Sequence, residues 1–135
     1  MTLTRTNPSS LSAPAGYTHV VDVAAGARTI YIAGQVAFDQ ARQVVGVGDM
    51  AAQTEQVFRN LQAALAAAGA TFADVVKMTT YVTDMGQAAV IRAARARYFG
   101  ETLPASTLVG VSALAHPDLM VEIEVIAAVR SKAGS

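Results

Sequence analysis

The stretch MAAQTEQVFRNLQAALAAAGATFADVVKMTTYVTD, residues 50–84, predicts a helix followed by a strand, and this pair decides the fold. Asp49 precedes the stretch and can cap the helix, because its carboxylate accepts the free N–H groups of the first turn. The apolar residues of the helix recur at helical spacing on one face: Met50, Val57, Leu61, Leu65 and Ala68. Gly69 ends the helix, since glycine adopts the left-handed conformation without strain. The β-branched residues 74–84 then predict a strand.

The segments on either side predict further strands and a second helix. Before the first helix, residues 17–23 and 28–34 are expected to be strands of one hairpin, with a short third strand near residues 43–45. After residue 84 we expect a helix over residues 86–100 and strands over residues 106–114 and 119–129. The order β-β-(β)-α-β-α-β-β predicts an α+β fold, in which two helices cover one face of a mixed sheet of about six strands.

The second predicted helix is apolar along one side and rich in arginine elsewhere. Its apolar side is formed by Val90, Ala94 and Tyr98. Three arginines are expected to keep its other faces polar: Arg92, Arg95 and Arg97. Gly100 is expected to end the helix.

The last predicted strand indicates what each face of the sheet contacts. One set of alternating residues is uniformly apolar and predicts the side under the helices: Leu119, Val121, Ile123, Val125, Ala127 and Val129. The other set is apolar apart from two carboxylates: Met120, Glu122, Glu124, Ile126 and Ala128. A sheet face in water usually carries more polar groups, so this second face is expected to pack against a neighbouring subunit. The two carboxylates would then lie at or near a cleft.

Composition excludes several function classes. The chain has 135 residues, with ten basic and ten acidic side chains, so nothing favours a nucleic-acid partner. It has no cysteine and two histidines, which argues against disulfides, thiolate nucleophiles and most zinc sites. No apolar run approaches the ~18 residues of a membrane span. Its 53% hydrophobic and 15% charged content favours an oligomer with an interface to cover.

The two ends of the chain are polar. Residues 1–16 are rich in Ser, Thr, Pro and Ala, and we expect them to form a loose arm. They lack the apolar core of a signal peptide, so a cytoplasmic protein is expected. Residues 130–135 are expected to be a polar tail, and residues 1–135 together a single domain.

Few side chains suggest chemistry by their position alone. Glu122 and Glu124 lie two apart on one strand and face the same side. A carboxylate in a partly apolar cleft can serve as acid, base or water anchor, but spacing alone favours two glutamates that are solvated or paired with an arginine of another chain. Ser106 and Thr107 open a strand without the G-x-S-x-G motif of a nucleophile, so local hydrogen bonding is the simpler interpretation. Tyr17 could line a pocket or simply pack.

Several segments together resemble the Rid (YjgF/L-PSP) family. They are AGQVAFD, QTEQVFRNLQAALAAAGATFADVVKMTTYVTDM, RYFGETLPAS and VEIEVIAAV, and the match extends over residues 17–129. The resemblance implies a chorismate-mutase-like α+β fold and a homotrimer with three clefts between adjacent subunits. It also implies hydrolysis of reactive enamines or imines, such as 2-aminoacrylate, to a 2-keto acid and ammonia, with no metal and no organic cofactor.

The resemblance also assigns roles to particular residues. It implies that Glu122 holds the attacking water, which the backbone of Leu108 also faces. It implies that the pocket is further lined by the following residues: Tyr17, Ala33, Gly34, Gln35 and Thr107. Ser106 lies where the family has an arginine that binds the substrate carboxylate through two hydrogen bonds. A serine supplies neither charge nor a planar fork, which weakens the expectation of 2-aminoacrylate deamination.

Three functions remain open from the sequence. The first is a divergent hydrolase of a different enamine or imine, with Arg92 or an arginine of another subunit as a candidate replacement anchor. The second is a trimer that binds a small metabolite without turnover. The third is the endoribonuclease activity in the L-PSP label, against which the balanced charge argues.

Overall fold

A computed structural model describes residues 2–130 of the chain. The elements in chain order are β1 (Leu3–Thr6), β2 (Val20–Val23), β3 (Ala27–Gln35), α1 (Met50–Ala67), β4 (Val75–Val82), α2 (Ala88–Phe99), β5 (Ala105–Gly110) and β6 (Val121–Arg130). None of the helices within this range has the length and hydropathy needed to cross a bilayer. Arg130 ends β6, and the rest of the predicted polar tail, residues 131–135, lies outside the described residues.

Four strands form one mixed sheet in the order β3-β6-β4-β5. β4 and β5 are parallel and are connected through α2, whereas β6 lies between β3 and β4 and is antiparallel to both. The two helices pack against each other and on one face of this sheet, where their buried residues join those of the strands in a single core. The predicted α+β fold is therefore confirmed, with four strands in the main sheet instead of about six.

The helix and strand that open the sequence analysis form as predicted. The Asp49 carboxylate accepts a hydrogen bond from the Ala52 N–H at 3.1 Å and caps α1. The predicted apolar positions Met50, Val57, Leu61 and Leu65 are all buried. Gly69 has φ of +76°, the conformation that makes it a helix stop. Local pattern and tertiary packing agree here, which is why the prediction succeeds.

The alternation predicted for the last strand is also present. Val121, Ile123 and Val125 of β6 are buried under the helices. On the other face Glu124 is exposed and Ile126 is half-buried, and Ile126 pairs with Tyr31 of β3, whose side chain is 78% exposed. The described chain thus leaves an aromatic and aliphatic surface uncovered. That a neighbouring subunit packs on it stays a prediction.

The N-terminal segment differs from the prediction in two ways. Residues 2–16 are not simply a loose arm, because β1 pairs antiparallel with β2 in a separate two-stranded ribbon. The expected hairpin of residues 17–23 with residues 28–34 is wrong, since β3 pairs with β6 instead. Side chains far apart in sequence fix the ribbon: Arg5 donates to the Leu103 carbonyl at 3.2 Å, and Thr18 donates to the same oxygen at 2.6 Å.

Candidate functional site

The predicted site residues lie on two opposite faces of the main sheet. Ser106 and Leu108 of β5 pair with Met78 and Thr80 of β4, whose side chains are buried on the helix side. Glu122 pairs with Tyr81 on the open face. β4 lies between β5 and β6, so the two strands are about 10 Å apart. One chain therefore does not bring Glu122 and the Leu108 backbone to a single water.

On the helix side, β5 forms the edge of the sheet, and a groove of about 320 Å³ runs beside it. The groove is lined by Ala15, Tyr17, Arg92, Arg95, Ser106 and Leu108. Three of these were predicted site residues. From the sequence, Arg92 was expected only as a candidate replacement anchor, and Arg95 was expected on a polar outer face of the helix. The structure therefore joins Tyr17 and Ser106 to two arginines of α2.

Arg95 is buried, with 8% of its surface exposed, which corrects the prediction that it keeps an outer face of α2 polar. Its only hydrogen bond within residues 2–130 is a long one, 3.5 Å from Nη2 to the Ala15 carbonyl. Burial, and secondarily the neighbouring charge of Arg92, lowers the pKa of its guanidinium. Burying a charge without a counter-charge costs on the order of several kcal/mol, so the burial of the Arg95 guanidinium is unfavourable within the single chain.

Gly16 allows the N-terminal segment to pass directly over the Arg95 guanidinium. Its φ is +78°, and a Cβ at this residue would lie 2.5 Å from Arg95 Nη2. Thr18, two residues further on, is buried, and its backbone N–H donates to the Pro104 carbonyl at 3.0 Å. The segment is thus fastened to the start of β5 and forms one wall of the groove, with Tyr17 half-buried in that wall.

On the open face, Glu122 lies against the backbone of Gly34. A Cβ built on Gly34 would collide with Glu122 Oε2, so only glycine allows the carboxylate to occupy this place. Gly34 belongs to the irregular end of β3, where the register with β6 shifts between Ile32 and Gln35. Ala33 is exposed next to it. The structure therefore brings together Glu122 and the turn that the resemblance implied.

A second polar group lies on the same face. Tyr81 donates to Glu124 Oε1 at 2.5 Å, and this bond, together with the negative charge of Glu124 and Glu122, raises the pKa of the phenol. Lys77 donates to Thr107 Oγ1 at 2.6 Å, so the Thr107 side chain lies on this face and not in the groove. Glu122 makes neither of these contacts, which leaves its carboxylate free of side-chain partners within residues 2–130.

The main functional candidate that the sequence reasoning missed is Arg95. One signal was available: Arg92 and Arg95 are three residues apart, so a helix places both on neighbouring positions of its surface. What the sequence does not show is that residues 15–17 cover that surface. Residues 2–130 contain no group of three or more His, Cys, Asp and Glu side chains placed to hold a metal ion.

The comparisons with known proteins agree with one another. The family model described as Endoribonuclease L-PSP matches residues 7–129. A RutC family protein of Pyrococcus horikoshii is 43% identical over 98 residues, which are 73% of this chain and 77% of that protein. The mouse protein named 2-iminobutanoate/2-iminopropanoate deaminase is 37% identical over 122 residues, 88% of this chain and 87% of that one.

A solved structure extends the likeness to three dimensions. The Rid family protein YyfB of Yersinia pestis superposes with a TM-score of 0.88 at 41% identity, covering 96% of this chain and 100% of that one. The sequence families, the superposition and the motifs around Gly34 and Glu122 point to one group. The chain therefore belongs to the Rid (YjgF/L-PSP) family.

Proposed function

We propose that the protein is a homotrimeric hydrolase that deaminates a small enamine or imine in clefts between adjacent subunits. The observation that carries the proposal is the Glu122 carboxylate held against the Gly34 backbone on the uncovered sheet face. Family membership supports it, as does the mouse relative whose name is that of an imine deaminase. The same face carries an exposed Tyr31, which suits a surface that meets another chain.

The reaction needs a base that can also return a proton. Water adds to the carbon of the protonated imine while a carboxylate accepts one of its protons, giving an amino alcohol at that carbon. The resulting carboxylic acid returns this proton to the nitrogen, and the hydroxyl proton passes to the carboxylate as the carbon–nitrogen bond breaks, so that ammonia and a carbonyl compound are released. An enamine enters the same path after protonation at its carbon. Glu122 is the group we assign to hold the water and exchange these protons, since no side chain within residues 2–130 already occupies it.

A cleft between two chains would unite the two halves of the site. Within one chain, the groove with Ser106 and Tyr17 is on the helix side, and Glu122 is on the open face. In a closed ring each chain presents a different surface to each neighbour, so the groove of one chain can meet the open face of the next. We propose this arrangement for the trimer.

The alternative is a trimer that binds a small metabolite without turning it over. The observation that favours it is Ser106, which leaves β5 without the charged anchor of the archetypal members. The endoribonuclease activity named in the family description is less well supported. The chain has no net charge. The groove contains two arginines and a single aromatic residue, Tyr17, whereas surfaces that bind single-stranded nucleic acid carry several basic and several aromatic side chains.

Ammonia release tests the proposed function. Imines would be generated in place from several L-amino acids by an amino-acid oxidase, and their decay would be followed with and without the purified protein. We expect faster decay than in buffer for at least one precursor, together with a trimeric mass by light scattering. No acceleration with any precursor would overturn the deaminase. A ligand that raises the melting temperature without turnover would instead favour the binding module.

A further inference from the structure

Arg95 has the environment of a ligand-binding group. It is more than nine-tenths buried, it lines the groove beside β5, and no carboxylate within residues 2–130 contacts it. We propose that Arg95, supported by Arg92, binds the carboxylate of a small organic acid in this groove. The inference rests on the proposed function for the acid's identity, a 2-imino or 2-oxo acid.

The arginines of α2 divide into two kinds. Arg97 forms an ion pair with Glu55 at 3.0 Å, and Arg59 of α1 approaches the same carboxylate at 3.8 Å. Glu55 also accepts a hydrogen bond from Tyr98, which holds this acid between the helices. The ion pairs within the described residues therefore engage Glu55 alone, and neither Arg92 nor Arg95 takes part.

The donor inventory points to a planar anion. A guanidinium has five N–H donors in a fixed fork, and Arg95 uses one of them in a 3.5 Å contact. A carboxylate matches two donors of the fork at once, and a water-excluded site strengthens that bond. Arg92 adds a second positive charge at the rim, since its side chain is exposed. An anion would offset the repulsion between the two cations as well as the burial of Arg95.

The remaining walls set the size and polarity of the ligand. Leu108 and the Tyr17 ring provide apolar surface, while Ser106 provides a short hydroxyl that leaves space in front of Arg95. An arginine at position 106 would place a third guanidinium in the same groove of about 320 Å³. The small side chain of Ser106 on β5 therefore leaves room for a ligand to reach the buried Arg95 on α2. A short alkyl chain suits this groove better than inorganic phosphate does.

Binding of 2-oxobutanoate and 2-butanone tests the proposal by calorimetry. The two probes differ in the carboxylate, so the native protein should bind the first at least tenfold more tightly. Arg95→Gln should reduce the affinity for 2-oxobutanoate by tenfold or more. Arg97→Gln, on the same helix but paired with Glu55, should leave it within twofold. Equal loss in both variants, or no loss in Arg95→Gln, overturns the proposal. Inorganic phosphate binding as tightly as 2-oxobutanoate overturns the assignment to a carboxylate.

A second pair of variants keeps the test decisive if Arg95→Gln does not fold. Ser106→Glu places a carboxylate in the groove that can occupy the arginines, whereas Ser106→Gln has the same size without charge. We expect Ser106→Glu to reduce the affinity for 2-oxobutanoate at least tenfold more than Ser106→Gln does. Equal effects of the two would show that space and not the cation decides binding, which overturns the proposal.

The outcomes separate this proposal from the proposed function. If 2-oxobutanoate binding depends on Arg95 and no imine is turned over, the result supports Arg95 as the carboxylate-binding residue and contradicts the deaminase function. If imines are turned over and the KM of Arg95→Gln equals that of the native protein, the result supports the deaminase function and overturns the proposal that Arg95 binds the carboxylate. If Arg95 acts as an anchor in an active enzyme, Arg95→Gln should raise KM at least tenfold, and Arg95→Lys should recover part of it because the charge is kept without the fork.

Discussion

The groove beside β5 and the open face of the sheet carry opposite charges on opposite sides of one sheet. Within residues 2–130, no carboxylate pairs with Arg95 or Arg92 in the groove, and no cation pairs with Glu122 on the open face, where Lys77 contacts Thr107 instead. Hydrolysis of a small imino acid requires both kinds of group, since its carboxylate pairs with a cation and its imine carbon needs an activated water. Because about 10 Å and a strand separate the two regions within one chain, a site that uses both groups would need a second copy, as in the trimer we propose.

Removal of the open-face carboxylate should have the largest effect. Glu122→Gln keeps the size of the side chain and removes the proton acceptor, so we expect kcat for imine hydrolysis to fall by about 10²–10⁴-fold. The matched control is Glu124→Gln, two residues along the same strand and face, where the lost group binds Tyr81 instead. Glu124→Gln should retain kcat within a few-fold. Equal loss in the two variants would contradict the assignment of Glu122.

Gly34→Ala should lower activity as the loss of Glu122 does, although the Glu122 side chain itself is unchanged. The added Cβ would occupy the place of Glu122 Oε2 and displace that group, and a misplacement of about 1 Å can cost about 10²-fold in rate. Gly110→Ala is the control, because a Cβ at this strand glycine makes only ordinary contacts, with the Met85 side chain at 3.7 Å and the Val82 carbonyl at 4.0 Å. A Gly34→Ala enzyme as active as Gly110→Ala would mean that the position of Glu122 does not matter for turnover.

The fold was largely predictable because its decisive part is local. The apolar stripe and caps of α1 and the alternation of β6 specify their elements within a few residues, and tertiary packing agrees with them. The β1–β2 ribbon was not predictable in the same way. Its four-residue strands have little pattern, and contacts such as Arg5 to the Leu103 carbonyl, 98 residues apart, hold it in place.

The site was predictable in part, for a related reason. The family resemblance implied that Gly34 and Glu122 line one pocket, and the structure places them together. Arg95 was assigned to a solvent face because the pattern of α2 cannot show what covers each of its sides. The cover is the backbone around Ala15, 80 residues earlier in the chain. A buried charge of this kind becomes visible only once non-local contacts are known.

Mixing two impaired variants, assayed at substrate concentrations well below the native KM, should show whether the two regions come from different chains. Co-expression of Arg95→Gln with Glu122→Gln at equal levels should restore about a quarter of native turnover. In a ring with random assembly, about one cleft in four then receives an intact Arg95 from one chain and an intact Glu122 from its neighbour. Each variant expressed alone is the control. Turnover no higher than the sum of the single variants would place both residues' functions within one chain and contradict the split site.

The smallest effect concerns the phenol on the open face. Tyr81 donates to Glu124, and this hydrogen bond, followed by desolvation and the negative charges of Glu124 and Glu122, raises the pKa of the phenol. A group whose pKa is higher in the folded protein stabilises the fold below the unfolded pKa, and this contribution is lost as pH rises through the folded pKa. Absorbance at 295 nm should therefore show one tyrosine that ionises at lower pH in Glu124→Gln than in the native chain. The same change in Arg97→Gln, whose substitution lies on α2, would contradict this origin.

Since Arg95→Gln removes a charge on the other side of the sheet, the pH at which Tyr81 ionises should be the same in that variant as in the native chain. The two regions would then be electrostatically independent within one chain and coupled only through a ligand held between two.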